Sequence, residues 1–389
     1  MLKTRNTLSF LLALLMMLSL ASAAFAGEND QIDGDGEEPR ALNVALYKSI
    51  PYYFTFEKTV ETCWKEQHPE VKLNFVSWNS YSGEVPDDLD AFVFDAQSLD
   101  AFVRKGYLLS LSEEDIQDYD DLIPSAMEGC RADGKICAVP QMLCTDLLFT
   151  RKDDDSLKDV QNLEELYNAL GDSGLLMDKG SPVSTVVVYL QALVDGTQLY
   201  THEYPPIEEG ALSTEAIESL EMLRDMHQVE DTPNGSGKFY YAQRFAEGMG
   251  EAYLGYSEAM DVMGENASEM DFRLISMTDD ENIPLFYVDA AAINAKISDE
   301  KKALAIDFLN MITGKDLMVK ASMNDGDPRY LLPARYSTYD ALAQEYPIYV
   351  GLKEIATVPD ACVFRIQPDG DAYIDEFAEK ADLLPSLTK

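Results

Sequence analysis

"ALNVALY", residues 41–47, is a continuous apolar run of the kind found in buried strands. "FEKTVETCWKEQ" (56–67) follows it with apolar residues at helical spacing, and "VKLNFVSW" (71–78) then alternates apolar and polar residues as a strand does. This order predicts a βαβ unit. The apolar run "LDAFVFDA" (89–96), with a helix from about 99 to 105 behind it, extends the unit to an α/β domain with a parallel sheet.

The ends of these strands carry the first candidates for a binding site. Ligands of open α/β sheets bind beyond the carboxyl ends of the strands. Tyr47, Tyr81 and Asp95 each lie at or just past a predicted strand end. We therefore expect these three side chains at the binding edge of the sheet.

The chain is long enough for two domains, since 389 residues exceed the usual size of one hydrophobic core. After "CTDLLFTRKD" (144–153) the pattern changes to helices such as "NLEELYNAL" (162–170) and "STEAIESLEMLRDMHQ" (213–228), which indicates a second domain. Residues 287–313 predict a strand, a loop and a helix, with Ser298 as the N-cap of that helix.

The first 26 residues have the layout of a secretory signal peptide: Lys3 and Arg5, an apolar run over 8–20, and a small-residue ending. An uncleaved membrane anchor is the alternative, because the run is nearly long enough to span a bilayer. The acidic stretch 27–40 is typical of a disordered leader. We expect a soluble protein that is secreted or extracellular, with a periplasmic location left open, and no stable membrane anchor.

The charge of the chain excludes one class of partner. It contains 70 Asp and Glu against 30 Lys and Arg, a formal net charge of −40. Such a chain is poorly suited to bind nucleic acid. Its field would attract a cationic small molecule, although a solvated acidic surface that keeps an extracellular protein soluble is the simpler role.

Five cysteines leave at least one thiol unpaired in an exported protein. The Asp-Gly pair in "GCRADGKICAVP" predicts a two-residue type I′ hairpin turn, which would bring Cys130 opposite Cys137 and favour a disulfide between them. Cys63 and Cys362 could pair or stay free. Cys144 is then the odd thiol.

A nucleophilic cysteine usually needs a base, and the chain offers few. Its three histidines lie in polar contexts that are typical of exposed residues, so a cysteine–histidine pair is poorly supported. If Cys144 acts as a nucleophile, a carboxylate must take its proton. These histidines are His68, His202 and His227.

Two carboxyl groups lie in apolar surroundings. Glu258 follows the aromatic run in "AYLGYSEAM" (252–260) and could end inside a cleft, with a raised pKa, or at a strand end on the surface. Asp289 lies between apolar residues of "LFYVDAAAIN" (285–294), where an unpaired carboxylate is costly. Its partner could be a backbone amide or an arginine of the fold, or an amino group or ring nitrogen of a ligand.

Aromatic residues accompany every one of these candidates. Tyrosines can wall a flat or cationic ligand by stacking and cation–π contact, or they can be ordinary core. The stretch "PDGDAYIDE" (368–376) has spaced aspartates but no glycine at the sixth position of a calcium loop, so we expect a solvated helix start and no metal site. The tyrosines beside the candidates are Tyr47, Tyr81, Tyr256 and Tyr287.

Four segments together resemble one enzyme family. They are residues 50–96, "AVPQMLCTDLLFTRKDD" (138–154), "GYSEAM" (255–260) and "FYVDAAAINA" (286–295). This set is similar to thiamine pyridinylase, also called thiaminase I, and the likeness runs over about 41–389. The cysteine in "PQMLCTDLLF" and the glutamate in "GYSE" are its most specific parts.

The resemblance implies a two-lobed α/β fold like that of type II periplasmic binding proteins, with the ligand in the cleft between lobes. The first lobe would comprise about 41–143 and 290–335, and the second about 144–289 and 336–389.

The resemblance also implies a base-exchange reaction on thiamine without a cofactor. Cys144 would attack the pyrimidine ring at the carbon beside the ring nitrogen, with Glu258 as the base that activates it. The thiazole would leave, and an external amine, pyridine or thiol would replace it before Cys144 is released. By the same likeness Asp289 holds the aminopyrimidine, Asp95 is a second cleft carboxylate, and the four tyrosines form the aromatic lining.

Two other functions remain open at this point. A non-catalytic solute-binding protein for thiamine or a related pyrimidine would have the same lobes, with Cys144 as a buried thiol only. An acidic surface-interaction protein has only the charge in its favour. For the enzyme we expect a monomer that acts on two small molecules.

Overall fold

Two β-sheets organise the chain in the computed structural model, which describes residues 41–206, 208–228 and 237–387. The expected signal peptide (1–26) and acidic leader (27–40) lie outside the described residues. None of the helices in the described part combines the length and the apolar character needed to cross a membrane.

The elements alternate along the chain as an α/β fold requires. The strands are β1 (Ala41–Ala45), β2 (Lys72–Phe75), β3 (Ala91–Asp95), β4 (Arg131–Ala132), β5 (Lys135–Ile136), β6 (Val139–Cys144), β7 (Asp146–Arg151), β8 (Leu175–Met177), β9 (Ala252–Tyr256), β10 (Met270–Arg273), β11 (Leu285–Ile293), β12 (Met323–Asn324), β13 (Asp327–Pro328), β14 (Leu332–Pro333) and β15 (Cys362–Val363). The helices are α1 (Tyr53–Gln67), α2 (Leu99–Arg104), α3 (Pro124–Glu128), α4 (Leu163–Leu170), α5 (Pro182–Thr197), α6 (Thr214–Met226), α7 (Tyr240–Ala246), α8 (Met260–Met263), α9 (Asp299–Ile312), α10 (Lys315–Ala321), α11 (Tyr336–Leu342), α12 (Ile348–Ala356) and α13 (Gly370–Glu379).

The first sheet has the order β14–β6–β11–β3–β1–β2, and β15 pairs with the start of β11. β1 runs parallel to both β2 and β3, so the predicted βαβ unit and its parallel sheet are confirmed. β11 lies between β3 and β6 and is antiparallel to both. The parallel arrangement of the first three strands therefore ends at β3, and β15 pairs with β11 in the parallel direction.

Helix α1 shows why the first segment folds as predicted. Its buried residues Phe56, Val60, Cys63 and Trp64 recur at helical spacing and pack into the core of the first sheet. The Trp64 indole donates a hydrogen bond to the carbonyl oxygen of Val71 at 2.9 Å, which ties the end of the helix to the approach of β2.

The second sheet has the order β10–β7–β9–β8, with β10, β7 and β9 antiparallel and β8 parallel to β9. Helices α4, α5 and α6 pack together beside it, and α13 joins them by contact with α5. The predicted helices at 162–170 and 213–228 correspond to α4 and α6. Ser298 does precede α9, but its side chain makes no capping hydrogen bond.

One residue joins the two sheets at the crossover. β6 ends at Cys144 and β7 begins at Asp146, so Thr145 alone separates them. The Thr145 hydroxyl donates a hydrogen bond at 3.0 Å to the carbonyl oxygen of Leu285, where the chain enters β11. Two passages of the chain between the sheets are therefore bound side by side.

The last segment divides between the two sheets. Helices α11 and α12 contact β14 of the first sheet, and α11 also contacts α10, whereas α13 contacts α5 beside the second sheet. The sequence had assigned all of 336–389 to the second lobe. The bounds of the lobes stay a prediction, but this segment does not pack as one piece.

The predicted hairpin is present without its disulfide. Asp133 and Gly134 both have positive φ and form the two-residue turn between β4 and β5, and the Cys137 amide donates to the Cys130 carbonyl oxygen at 3.1 Å. All five cysteines are nevertheless free. The Cys137 sulfur faces the carbonyl oxygen of Lys135, at 3.7 Å, instead of meeting the Cys130 sulfur.

Candidate active site

A cavity of about 500 Å³ lies between the two sheets and is the meeting point of the residues that the sequence singled out. Its walls come from the ends of β1, β3 and β6, from the middle of β11 and from the turn after β9. All eight predicted site residues line it: Cys144, Glu258, Asp289, Asp95, Tyr47, Tyr81, Tyr256 and Tyr287.

Cys144 and Glu258 face each other across the junction of the sheets. Cys144 is the last residue of β6 and is half-buried, and Glu258 lies in the single 3-10 turn that follows β9. The thiol sulfur lies 3.9 Å from Oε2 of Glu258, whose side chain is only 12% exposed. The neighbouring Ser257 hydroxyl donates to the Tyr330 carbonyl oxygen at 2.7 Å and holds this turn in place.

Burial governs the proton affinity of both groups. It raises the pKa of the Cys144 thiol well above its usual value, and the negative charge of Glu258 adds to the shift. Burial also raises the pKa of Glu258, while the ammonium group of Lys238 opposes that rise. The pair therefore favours one negative charge over two, because a second anion at this distance would be both desolvated and repelled.

Asp95 ends a hydrogen-bonded chain of tyrosines. The Tyr81 hydroxyl donates to Oδ2 of Asp95 at 3.1 Å, the Gln97 amide donates to Oδ1 at 3.0 Å, and the hydroxyls of Tyr47 and Tyr81 lie 2.5 Å apart. Burial raises the pKa of Asp95 to about 6. This carboxyl group is thus poised to change its charge near neutral pH.

Asp289 lies opposite Asp95 in the pairing of β11 with β3, next to a bulge in the pairing with β6. No arginine, backbone amide or other donor in the described part of the chain forms a hydrogen bond with its carboxyl group. Burial raises the pKa of Asp289 well above its usual value, and the charges of Asp95 and Glu258 add to the effect. The partner inside the fold that the sequence offered, a backbone amide or an arginine, is therefore not found among the described residues.

Two tyrosines form one wall of the cavity, and a buried ion pair lies behind one of them. The rings of Tyr256 and Tyr287 meet edge to face with centroids 6.4 Å apart. The Lys179 ammonium lies 4.3 Å from the centroid of Tyr256 and 2.5 Å from Oδ1 of Asp146, and both members of this ion pair are shielded from solvent. Lys179 therefore joins the wall to β7 by a charge and a cation–π contact.

The sequence missed an acidic residue on the opposite side of the cavity. Asp371 is buried and accepts hydrogen bonds from the Gln97 amide group and the Ser98 hydroxyl, both at 2.8 Å. A Cβ on the preceding Gly370 would lie 2.5 Å from the Gln97 carbonyl oxygen, so only glycine allows this approach. The expectation of a solvated helix start is therefore wrong for Asp371. Its glycine neighbour was the available signal.

Lys238 is another lining residue that the sequence gave no reason to select. The cavity lining contains five carboxyl side chains, and Lys238 is the basic side chain among the described residues there. Its Nζ lies 3.8 Å from Oε1 of Glu258. The site as a whole is acidic, which suits a cationic ligand.

The part of the chain that the structure describes holds one group of three acidic side chains close enough to share an ion, Glu215, Asp279 and Asp280. All three are exposed, and none lines the cavity.

Comparison with known proteins identifies the family. A model of the Thiaminase-1 domain matches residues 145–278, a range that begins one residue after Cys144 and includes Glu258. Thiaminase-1 of Paenibacillus thiaminolyticus is 37% identical over 389 residues, with 95% of this chain and 93% of the relative covered. The chain belongs to the thiaminase I family. The resemblance inferred from the four sequence segments is confirmed.

Solved structures of thiaminase I share the fold as well. Thiaminase I of Clostridium botulinum in complex with thiamin superimposes with a TM-score of 0.84 at 41% identity, over 88% of this chain and 98% of that one. A maltose-bound binding protein, MalE3 of T. maritima, gives a TM-score of 0.61 at 17% identity over 88% and 99% of the two chains. That likeness concerns the fold alone, and it confirms the predicted two-lobed binding-protein architecture.

Proposed function

We propose that this protein is a thiamine-degrading transferase, which replaces the thiazole of thiamine by an external amine, pyridine or thiol. The observation that carries the proposal is the Cys144–Glu258 pair, 3.9 Å apart in the cavity of a thiaminase I family member. The thiamin complex of the Clostridium botulinum relative supports a small-molecule substrate of this class.

The reaction begins with a proton transfer from the Cys144 thiol to the Glu258 carboxylate. The pair carries one negative charge before and after this step, so no second anion arises in the buried site. In water the pKa values of the two groups differ by about 4 units, equivalent to about 6 kcal/mol. Burial raises both pKa values and does not close this gap alone. The positive thiazolium of the substrate, which stabilises the thiolate, supplies a further contribution.

Bond changes then follow in two balanced steps. The thiolate adds to the pyrimidine carbon beside the ring nitrogen, and an electron pair moves through the ring to the exocyclic methylene carbon. The bond from this carbon to the thiazolium nitrogen breaks, and the thiazole leaves as a neutral base with the bonding pair. The incoming nucleophile forms a bond to the methylene carbon with its own electron pair, the bond from the ring carbon to sulfur breaks, and Glu258 returns the proton to the Cys144 thiolate. An amine or thiol then releases its own proton to solvent, whereas pyridine keeps the positive charge.

The acidic and aromatic residues of the cavity lining bind the pyrimidine. Asp289, which has no internal donor among the described residues, takes the aminopyrimidine, with Asp95 as the second carboxyl group. Raised pKa values allow either group to hold or give up a proton to a ring nitrogen. The edge-to-face pair of Tyr256 and Tyr287 and the linked Tyr47 and Tyr81 supply flat apolar surface for the rings.

The location and assembly of the protein are part of the same proposal. The layout of residues 1–26 supports export, so that the enzyme acts outside the cytoplasm as a soluble protein without a membrane anchor. Every residue of the proposed mechanism lies in one chain, and we propose a monomer as the active form.

The test is product analysis by mass spectrometry after incubation of the mature protein with thiamine and excess aniline, beside Cys144→Ser. We expect free thiazole and the pyrimidine–aniline adduct with the native protein only. Intact thiamine in both samples would favour the solute-binding alternative, and thiamine binding by Cys144→Ser in equilibrium dialysis would show that the cavity is still formed.

A further inference from the structure

The carboxylate of Glu258 lies between a thiol and an ammonium group. Its Oε2 faces the Cys144 sulfur at 3.9 Å, while Oε1 faces Nζ of Lys238 at 3.8 Å. The two partners use different oxygens, so each contact can be present with the other. The Lys238 side chain is 57% exposed and reaches the buried carboxylate from the solvent side of the cavity.

Among the described residues, Lys238 is the basic side chain that forms an ion pair with this carboxylate. Arg329 acts on Glu258 as well, but its guanidinium donates a hydrogen bond to the Ala321 carbonyl oxygen and lies over the ring of Tyr52. Lys179 also acts on Glu258 over a longer range, but its ammonium is held 2.5 Å from Asp146 and above the ring of Tyr256. The remaining titratable groups that act on Glu258 are the Cys144 thiol, Asp146, Asp289, Tyr253 and Tyr256. The two aspartates disfavour an ionised Glu258, whereas the hydrogen bond donated by the Cys144 thiol favours it.

We propose that Lys238 is a positioning residue that keeps Glu258 ionised in the free enzyme, so that this carboxylate can accept the proton of Cys144. The inference rests on the proposed function, in which Glu258 is the base. A neutral carboxylic acid at 3.9 Å could not take the proton, and burial alone drives Glu258 towards that neutral form.

The positive charge of Lys238 should repel a cationic substrate only weakly. One ammonium group is opposed by five carboxyl groups in the lining, so the cavity stays acidic. Lys238 also lowers the pKa of the Cys144 thiol, although burial and Glu258 dominate that pKa. The lysine thus favours the ionised form of both members of the catalytic pair.

The experiment compares the pH dependence of kcat/KM for thiamine degradation in three variants and the native enzyme. An opposite charge at this distance lowers a carboxyl pKa by about 1–3 units, and the exposure of Lys238 favours the lower end of that range. In Lys238→Met the acid limb of the pH profile, where kcat/KM falls as Glu258 becomes protonated, should therefore move up by about one pH unit. Lys238→Arg, which keeps the charge, should retain the native limb.

Lys296→Met is the matched control. Lys296 is 53% exposed, pairs with the exposed Asp87 at 2.5 Å and does not line the cavity, so its loss should leave the acid limb unchanged. A structural role of Lys238 would lower kcat without moving the limb. An unmoved limb in Lys238→Met overturns the proposal.

A second readout does not depend on turnover. The rate of alkylation of Cys144 by iodoacetamide, followed by mass spectrometry of its peptide over a pH series, reports the thiolate. Its midpoint should lie higher in Lys238→Met than in the native protein and in Lys238→Arg. If thiamine is not degraded at all, the proposed function fails while this comparison still stands. If degradation is normal but neither the limb nor the midpoint moves, only the role of Lys238 fails.

Discussion

Lys179→Met should destabilise the protein far more than Lys296→Met, although both lysines form an ion pair with an N···O distance of 2.5 Å. Lys179 and Asp146 are 6% and 13% exposed, whereas Lys296 and Asp87 are 53% and 77% exposed. An exposed pair contributes about 0–1 kcal/mol. Removal of one partner from a buried pair costs about 3–5 kcal/mol, because the other charge is left uncompensated.

The assay is urea unfolding at equilibrium, with the free energy of unfolding extrapolated to water. The double variant Asp146→Asn/Lys179→Met should regain a large part of the loss, since no lone buried charge then remains. Loss of the cation–π contact with Tyr256, about 0.5–2 kcal/mol, should persist in the double variant. Equal effects of Lys179→Met and Lys296→Met would refute the reasoning, because burial is the feature that separates the two pairs.

Two further predictions concern the cavity. Glu258→Gln should lower kcat about 10²–10⁴-fold through loss of the base, while equilibrium dialysis still detects thiamine binding; near-native turnover would remove Glu258 from the mechanism. For Asp95 the pKa is about 6 in the folded protein against its usual 3.8, so the folded state holds a proton that the unfolded chain releases, and stability from this group falls as pH rises from about 4 to 6. Relative to the native protein, Asp95→Asn should therefore gain stability across this interval, by about 3 kcal/mol for a pKa shift of two units, and the gain should level off above it. The Tm of the variant relative to that of the native protein should rise over the same pH range. A difference in Tm that is constant with pH would contradict the assignment.

Local patterns in the sequence were sufficient for the first part of the fold. The spacing of Phe56, Val60 and Trp64 predicts α1, and the Asp133–Gly134 pair predicts its turn, because in both cases the determining residues are neighbours in the chain. The antiparallel direction of β11 has no such local signature. It follows from the return of the chain from the second sheet, which only the paired strands reveal.

The residues of the site also divide into those that the sequence predicted and those that it missed. Cys144 and Glu258 were selected by a family resemblance together with the lack of a suitable histidine, and the structure brings the two side chains together. Asp371 lies 274 residues from its partner Gln97 in the chain, so a polar stretch that looks solvated is buried by a distant contact. Lys238 was missed because one lysine next to a glycine and an aromatic residue resembles any surface lysine.

Thr145, the single residue between β6 and β7, places Cys144 next to one of the crossovers that connect the two sheets. A rotation displaces each atom in proportion to its radius from the axis, so the sulfur at the crossover has a short lever arm. Glu258 follows Tyr256, which pairs with Asp146 on the other side of the same crossover. A rotation about this crossover would therefore change the distance between thiol and base little, so that substrate could enter and product could leave while the pair stays together.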